Sequence, residues 1–270
     1  MKNRKIAVTT NCYHGYSVEE AIAGIKAAGF RYVELTAMKG WVEHVFPDHS
    51  FAQLLKVKDL LDEAGLQAIG MSGHVSLMDG TKREDFVNNI RLARFFDIPC
   101  ILTFVGEPAE GEGALSMEET VSRIRSVLPE LEKYDMTMAL EVAGKQNSGV
   151  AVKEIVEKVA SPRVVTAYDT ANAIFYGDVD TMADLSACLD TVGYIHIKDK
   201  AAGRQEWSFP ALGQGYVPFP EVFAMVDESG NDSPYVVEIE FTPEGPGSVE
   251  AVNQAVLDSA NYLKAQGFVL

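Results

Sequence analysis

Four short segments in the second half of the chain end in a side chain that can bind a hard divalent metal ion. Each begins as an apolar run rich in β-branched residues, which is typical of a buried strand. The segments are TMALE ending at Glu141, VVTAYD ending at Asp169, VGYIH ending at His196 and YVVE ending at Glu238. A parallel barrel delivers the carboxyl ends of its strands to one face. The four side chains are therefore predicted to converge there on one ion.

The chemistry of these four residues favours a catalytic metal site over a structural one. Three carboxylates and one imidazole form a mostly hard donor set, which suits Mn²⁺, Mg²⁺ or Co²⁺ and accepts Zn²⁺. A structural zinc site more often uses thiolates and is closed, whereas this set leaves positions open for substrate oxygens. A single strand-end carboxylate more often caps a helix or pairs with a basic residue. Their joint placement on four successive predicted strands is what favours a metal site.

The elements that must position these residues alternate between short strands and helices along the whole chain, as in repeated βα units around a parallel sheet. Eight strands are predicted: KIAVTT, YVEL, QAIGM, CILTFV, TMALEV, VVTAYD, YIHIK and YVVEIE. The helical stretches are 17–28, 51–64, 82–96, 116–134, 149–160, 181–190, 218–229 and 248–265. The pattern and the length predict an α/β fold, a (β/α)₈ TIM barrel with a parallel eight-stranded barrel and outer helices. It is predicted to form a single domain over residues 1–270.

One helix shows both of its ends in the sequence. Ser17 with Glu20 has the spacing of a capping box, and Gly29 stands where a left-handed residue would close the helix. These signals locate structure and carry no function.

Composition excludes several classes of partner. The net charge is −16 and the pI is near 4.7, which argues against nucleic acid because phosphate contacts need clustered Lys and Arg. The three cysteines, Cys12, Cys100 and Cys188, are far apart and fit reduced thiols. The sequence has no signal-peptide core and no apolar run of about 18 residues, so we predict no membrane partner and a cytoplasmic location. Monomer and homo-oligomer both remain open.

Several motifs together resemble a known family. They are the strand ending at Glu141, the DTAN segment from Asp169, HIKDK with His196, ALGQG, and VVEIE with Glu238. In this order they are similar to the xylose isomerase-like sugar phosphate isomerase/epimerase family, and the similarity runs over nearly the whole chain. It includes KIAVTT at the start and YVEL, with Glu34, in the second strand. The motifs are fairly specific for the superfamily and much less specific for the reaction.

The resemblance implies a TIM barrel with Glu141, Asp169, His196 and Glu238 around one divalent metal ion, with Mn²⁺ as the first choice. It also implies that Glu141 and Glu238 are both ligands and acid/base groups. Glu238 matches the family's ligand position, while Glu240 lies on the same face of the strand by alternation and is the rival.

The implied reaction is removal of a proton from a carbon next to a carbonyl, through an enediolate that the metal ion stabilises. The substrate would be a keto-sugar, a sugar phosphate or a cyclitol. One glutamate would remove the proton and the other would return it to the opposite face of the sugar, which inverts the carbon. Epimerisation is therefore the preferred reaction.

Three further residues are predicted to bind substrate. His74 resembles a substrate-contact histidine of the family, although a structural histidine would look the same. Lys198 lies on the same strand face as His196, and its alternative is an ion pair with Asp199 or Glu240. Asn172 stands where the ketose 3-epimerase branch usually carries His, and the Asn form looks more like the ketose-phosphate epimerase branch. Trp41, Trp207 and Phe209 are expected to form either an apolar wall for a sugar or part of an interface.

Three other functions occur on folds of this kind. An inosose dehydratase-like or hydroxypyruvate isomerase-like enzyme would use the same metal and carboxylates. A non-catalytic sugar-binding barrel would keep the fold without the activity. The superfamily's apurinic-site endonucleases resemble His-rich, multi-metal sites with basic surfaces, which five histidines and a net charge of −16 do not match.

Overall fold

Eight parallel strands close into a barrel in the computed structural model, which describes residues 4–270. Around the barrel the order is β1-β9-β8-β7-β6-β5-β4-β2, and pairing of β1 with β2 closes it. The strands are β1 (Ile6–Thr9), β2 (Tyr32–Met38), β4 (Gln67–Ser72), β5 (Cys100–Thr103), β6 (Thr137–Glu141), β7 (Val164–Asp169), β8 (Val192–Lys198) and β9 (Tyr235–Glu238). The short β3 (Val42–Glu43) pairs antiparallel with β2 outside the barrel. The predicted TIM barrel is confirmed.

Ten helices surround the strands in the described part of the chain. They are α1 (Val18–Ala28), α2 (Phe51–Ala64), α3 (Arg83–Phe95), α4 (Met117–Arg125), α5 (Leu128–Tyr134), α6 (Gly149–Val159), α7 (Asn172–Gly177), α8 (Thr181–Cys188), α9 (Phe219–Glu228) and α10 (Val249–Ala265). The prediction of one helix over 116–134 was wrong, because the segment divides into α4 and α5. Pro129 lies in the first turn of α5. A proline is tolerated there because the N–H groups of the first turn have no partner within the helix, but it prevents a continuous helix from running on from α4. The short α7 and β3 were not predicted.

The predicted ends of α1 are both present. Ser17 accepts a hydrogen bond from the backbone N–H of Glu20, and the Glu20 carboxylate accepts one from the backbone N–H of Ser17. Gly29 ends the helix in the left-handed region with φ of 96°, which glycine adopts without a Cβ clash.

The core has two layers. The larger layer packs the outer faces of the strands against the helices. Inside the barrel a smaller apolar cluster fills the space below the strand ends, and consists of Ala7, Ile69, Leu102, Ala139, Ala167, Tyr194 and Val236. Gly70 makes room for the ring of Tyr194, since a Cβ at Gly70 would lie 2.0 Å from the Tyr194 hydroxyl oxygen. The ring can therefore reach across the barrel toward the site above it.

Two findings bear on the environment of the chain. Across residues 4–270, none of the helices is both long enough and apolar enough to cross a membrane. Cys12, Cys100 and Cys188 are all free thiols. The single-domain organisation and the cellular location stay predictions.

Candidate metal centre

The four predicted ligands lie on four adjacent strands, β6, β7, β8 and β9. Asp169 and His196 are direct partners in the β7–β8 ladder, and Glu141 pairs with Ala167 one strand away. Glu238 ends β9 opposite Lys198 of β8. The two glutamates are therefore the outer members of the row, with Asp169 and His196 between them.

The side chains of this row converge. One ligand atom from each of Glu141, Asp169, His196 and Glu238 lies within 4.8 Å of all the others. At the centre, His196 Nδ1 is 2.8 Å from Glu141 Oε1, 3.3 Å from Glu238 Oε2 and 3.9 Å from Asp169 Oδ2. All four residues are buried. Sequence reasoning thus selected side chains that the fold brings together.

His196 is held by the second nitrogen of its ring. Its Nε2 lies 3.1 Å from Glu34 Oε2. Glu34 also accepts hydrogen bonds from the Tyr194 hydroxyl at 2.8 Å and from Ser72 Oγ at 2.9 Å. When Nε2 donates to Glu34, the lone pair of Nδ1 faces the cluster, which is the usual support for a metal-binding imidazole.

Asp169 carries an oxygen with no partner. Its Oδ1 accepts the backbone N–H groups of Ala171 at 2.8 Å and Asn172 at 2.7 Å. Its Oδ2 is buried without any hydrogen bond. Burial, together with the charges of Glu238 and Glu141, raises the pKa of Asp169 to about 8 in spite of Lys198. A cation at Oδ2 would remove this penalty, because it favours the ionised carboxylate.

Glu141 is oriented by two histidines. His74 Nε2 lies 2.6 Å from Glu141 Oε2, so the two carboxylate oxygens face His74 and His196 separately. Burial alone would raise the pKa of Glu141, but His74 and His196 outweigh it and lower the pKa to about 2. Glu141 is therefore held ionised.

Glu238 is oriented by a residue that the sequence did not reveal. Asn11 Nδ2 donates to Glu238 Oε1 at 2.8 Å, and Asn11 Oδ1 accepts from the indole N–H of Trp41 at 2.9 Å. Burial alone would raise the pKa of Glu238, but Lys198 and His196 lower it well below its ordinary value. Asn11 lies in a 3₁₀ turn directly after β1, and its only sequence signal was a polar side chain at a strand end.

Glu240 lies beside the cluster and forms a different interaction. Its Oε2 contacts Lys198 Nζ, which also lies 3.5 Å from Glu238 Oε2 and 3.3 Å from Asn172 Oδ1. Burial raises the pKa of Glu240, and Lys198 offsets part of that effect. The structure therefore groups Glu238 with the other three residues and pairs Glu240 with Lys198, the ion pair that was the alternative for this lysine.

The donor set fits a divalent ion. Five buried or nearly buried carboxylates, those of Glu34, Glu141, Asp169, Glu238 and Glu240, meet only one lysine and two histidines here. Burying that excess of negative charge is costly unless a cation offsets it. Asp169 Oδ2 has no hydrogen-bond partner, and the three carboxylates of the cluster supply hard oxygen donors. The cluster therefore suits a divalent cation.

Above the cluster is a cavity of about 380 Å³. The three predicted substrate contacts, His74, Lys198 and Asn172, all line it. So do the three residues of the predicted apolar wall, Trp41, Trp207 and Phe209. Phe209 packs under Lys198, whose Nζ is 4.4 Å from the ring centroid. The indole nitrogen of Trp207 is buried without a partner. The cavity thus combines aromatic faces with a few convergent polar groups.

A family model described as a xylose isomerase-like TIM barrel matches residues 22–266. The chain belongs to the xylose isomerase-like TIM barrel family. This confirms the resemblance of the sequence motifs. A search of curated proteins gave no match.

Solved structures of similar fold agree with the family. D-allulose 3-epimerase from Methylomonas sp. in complex with D-allulose has a TM-score of 0.76 at 17% identity, with 98% of each chain covered. A xylose isomerase domain protein from Planctomyces limnophilus gives 0.76 at 19% identity, with 97% of each chain covered. The probable 3-DHS dehydratase from Bacillus anthracis gives 0.73 at 15%, covering 98% of this chain and 99% of its own. At these identities the similarity establishes the shared fold.

Proposed function

We propose that this member of the family is a divalent-metal-dependent isomerase that moves a proton next to the carbonyl of a keto-sugar, with epimerisation as the preferred reaction. The observation that carries the proposal is the buried group of Glu141, Asp169, His196 and Glu238, whose ligand atoms lie within 4.8 Å of one another. Two of its members, Glu141 and Glu238, line a cavity with aromatic walls. Mn²⁺ is the proposed ion, with Mg²⁺, Co²⁺ and Zn²⁺ as alternatives.

Glu141, Asp169, His196 and Glu238 would hold the ion. When bound, it would supply positive charge next to the substrate oxygens, where negative charge develops during enolisation. Glu34 would keep His196 in the tautomer that presents Nδ1, and the N–H groups of Ala171 and Asn172 would hold Asp169 in place.

The acid/base work is assigned to Glu141 and Glu238. Both carboxylates line the cavity, and they stand at the two ends of the row of site strands. Low pKa values keep both of them ionised and able to accept a proton. Glu141 would take the proton from one face of the sugar, and Glu238 would return one at the other face. His74 and Asn11 would keep the two carboxylates aimed at the substrate.

Substrate binding is assigned to the remaining walls. A sugar presents hydroxyls on its edges and C–H groups on its faces, so it fits a pocket with aromatic sides and few polar groups. Asn172 and Lys198 would bind hydroxyls, while Trp207 and Phe209 would pack against a sugar face. The similar fold of an epimerase solved with D-allulose supports this choice of substrate class.

The test is exchange of carbon-bound hydrogen. Purified protein would first be analysed for bound metal, then loaded with Mn²⁺ and incubated in D₂O with ketoses, ketose phosphates, inososes and hydroxypyruvate. We expect NMR to show deuterium at one carbon next to the carbonyl, and an inverted product. Protein without metal should show neither.

Four other outcomes would change or contradict the proposal. Loss of water from the substrate would identify a dehydratase, and conversion of hydroxypyruvate would identify the isomerase alternative, both on the same residues. Sugar binding without exchange, equally tight with and without metal, would identify a non-catalytic sugar-binding barrel. Absence of metal and of exchange across the whole panel would contradict the proposal itself.

A further inference from the structure

A second cavity, of about 300 Å³, lies next to the cavity of the metal centre. The two share Lys39 and His74 as wall residues. The second cavity is bounded by the loop before α2, the segment that follows β4, and the start of α3. The two cavities are therefore neighbours, and Lys39 and His74 lie where they meet. Neither the proposed mechanism nor a single sugar ring uses the second cavity.

Two polar atoms in the wall of the second cavity are buried without a partner. They are His74 Nδ1 and Asn89 Oδ1. The other polar atom of each side chain is engaged, His74 Nε2 with Glu141 at 2.6 Å and Asn89 Nδ2 with the carbonyl of Gly73 at 3.1 Å. The His74 side chain is 8% exposed and Asn89 is 2% exposed. Buried polar atoms nearly always have partners, so these two atoms are unused hydrogen-bonding capacity at this wall.

The charges along both cavities disfavour a phosphate group. In the second cavity Lys39 and Lys82 face three carboxylates, those of Asp48, Asp79 and Asp85. Lys82 Nζ lies 3.6 Å from Asp85. In the first cavity Lys198 is surrounded by Glu240, Glu238 and Asp169. A phosphate needs an excess of positive charge, and neither described wall offers one, whereas hydroxyls accept such mixed surroundings.

Building on the proposed function, we propose that the substrate is an unphosphorylated keto-sugar that carries a second sugar unit. The keto unit lies at the metal centre, and the second unit lies beyond His74 in the cavity bounded by α3. Each cavity alone is at the small end of the roughly 300–1,000 Å³ range of small-molecule sites. Together they accommodate an elongated ligand with hydroxyls at both ends.

Three probes test the inference by calorimetric titration of the Mn²⁺-loaded protein. They are D-fructose, its 6-phosphate, and isomaltulose, a ketose with a glucosyl unit on the hydroxyl farthest from its carbonyl. We expect isomaltulose to bind at least about tenfold tighter than D-fructose, and the phosphate to bind no tighter than D-fructose. Isomaltulose binding no tighter than D-fructose would overturn the proposal, as would tighter binding of the phosphate.

Two neighbouring residues of α3 provide a matched pair of variants. Asp85→Trp places a large ring in the wall of the second cavity, and Glu84→Trp places it on the same helix outside that wall. The ratio of isomaltulose to D-fructose affinity should fall at least about fivefold in Asp85→Trp and stay at the wild-type value in Glu84→Trp. Lys82→Trp is a second blocking variant if Asp85→Trp unfolds. An unchanged ratio in a folded blocking variant would show that the second unit binds elsewhere.

Deuterium exchange separates failure of this inference from failure of the proposed function. If D-fructose exchanges but isomaltulose binds no tighter, the proposed function stands and the elongated site does not. If isomaltulose binds tighter in a way that Asp85→Trp abolishes, but no probe exchanges, the elongated site stands and the isomerase does not.

Discussion

The two ends of the barrel differ in whether their charged groups find partners within the protein. At the amino end of the strands lies the larger cavity, of about 790 Å³, lined by strand-start residues and loops such as Lys5, Cys100 and Thr137. One of its two basic residues, Arg4, is engaged, because it donates to Asp227 at 3.0 Å and to the carbonyl of Asn231 at 2.6 Å. At the carboxyl end, a cavity of about 380 Å³ lies over the four side chains that are proposed to bind a metal ion.

If the proposed function holds, cavity volume alone would select the wrong end of this barrel. The amino end has more space, but the charge of Arg4 is matched by an acid and by carbonyls. The carboxyl end has less space, but it buries an excess of carboxylates, one of which has an oxygen with no partner. A site can do chemistry where its groups still need a partner that the protein does not supply.

The largest expected effect is the loss of the acid/base carboxylates. Glu141→Gln and Glu238→Gln should each lower the rate of deuterium exchange by about 10²–10⁴-fold, because glutamine keeps the size of glutamate but cannot accept the proton. Asp227→Asn makes the same chemical change at the amino end and should leave the rate within about twofold. Initial rates in D₂O with Mn²⁺ measure all three, and near-native exchange in either glutamine variant would remove that residue from the acid/base pair.

A smaller effect is expected from a change at Glu34, whose carboxylate contacts His196 Nε2. Glu34→Gln should weaken Mn²⁺ binding by about 10–100-fold, because the charge that fixes the His196 tautomer is lost while all four ligands remain. Competition against a fluorescent chelator measures the affinity. Cys100→Ala at the amino end is the control and should bind Mn²⁺ like the wild type. Equal affinity in Glu34→Gln would show that Glu34 only fills space under the site.

The sequence predicted the barrel because alternating patterns mark its units individually. TMALE, VVTAYD, YIHIK and YVVE each read as a strand without knowledge of their neighbours, and parallel topology then places their ends together. Capping residues such as Ser17 and Gly29 work in the same local way. The division of 116–134 was missed because apolar periodicity outweighed Pro129, although proline at that place is a helix-start signal.

Other parts of the site depend on contacts that no local pattern encodes. The YVEL motif places Glu34 in the second strand, but only barrel closure shows that β2 delivers it to His196 of β8. Asn11 gains its role from contact with Glu238 and Trp41, which are far away in the chain. Alternation could not separate Glu238 from Glu240, because the two differ in which partner they meet. The second cavity depends on how loops pack against α3. No periodic pattern in the sequence encodes that packing.

A third prediction concerns the buried carboxylate of Asp169. It tests whether this carboxylate destabilises the metal-free protein and whether a metal ion removes that effect. In metal-free protein, Asp169→Asn should raise the free energy of unfolding by roughly 1–4 kcal/mol, because it removes one of several buried carboxylates that lie close together. In the same variant, the rise in melting temperature that Mn²⁺ gives the wild type should disappear, because a ligand is lost. Thermal unfolding with and without Mn²⁺ shows both effects. A variant that is less stable without metal would mean that Asp169 is already well satisfied.

The smallest expected effect concerns His44, a buried histidine at which burial outweighs the opposite effect of the Glu19 carboxylate. His44 Nε2 lies 3.0 Å from the carbonyl of Tyr16, and its Nδ1 is buried without a partner. Burial lowers the pKa of His44 from 6.5 to about 4, whereas the carboxylates around His196 raise the pKa of that residue well above its ordinary value, against the effect of burial. Burial thus lowers the pKa of His44, whereas the surrounding carboxylates raise the pKa of His196.

The sign of the resulting pH dependence follows from which state binds the proton. Between pH 6.5 and pH 4 the unfolded chain protonates His44 and the folded chain does not, so the stability contributed by neutral His44 is fully present above pH 6.5 and is lost toward pH 4. At pH 5 the loss is about 2 kcal/mol. His44→Gln keeps a donor for the carbonyl, so its free energy of unfolding should fall less steeply from pH 7 to pH 5 in urea titrations. Parallel pH curves for the two proteins would show that His44 takes up a proton in the folded state, and that burial alone does not explain the contrast with His196.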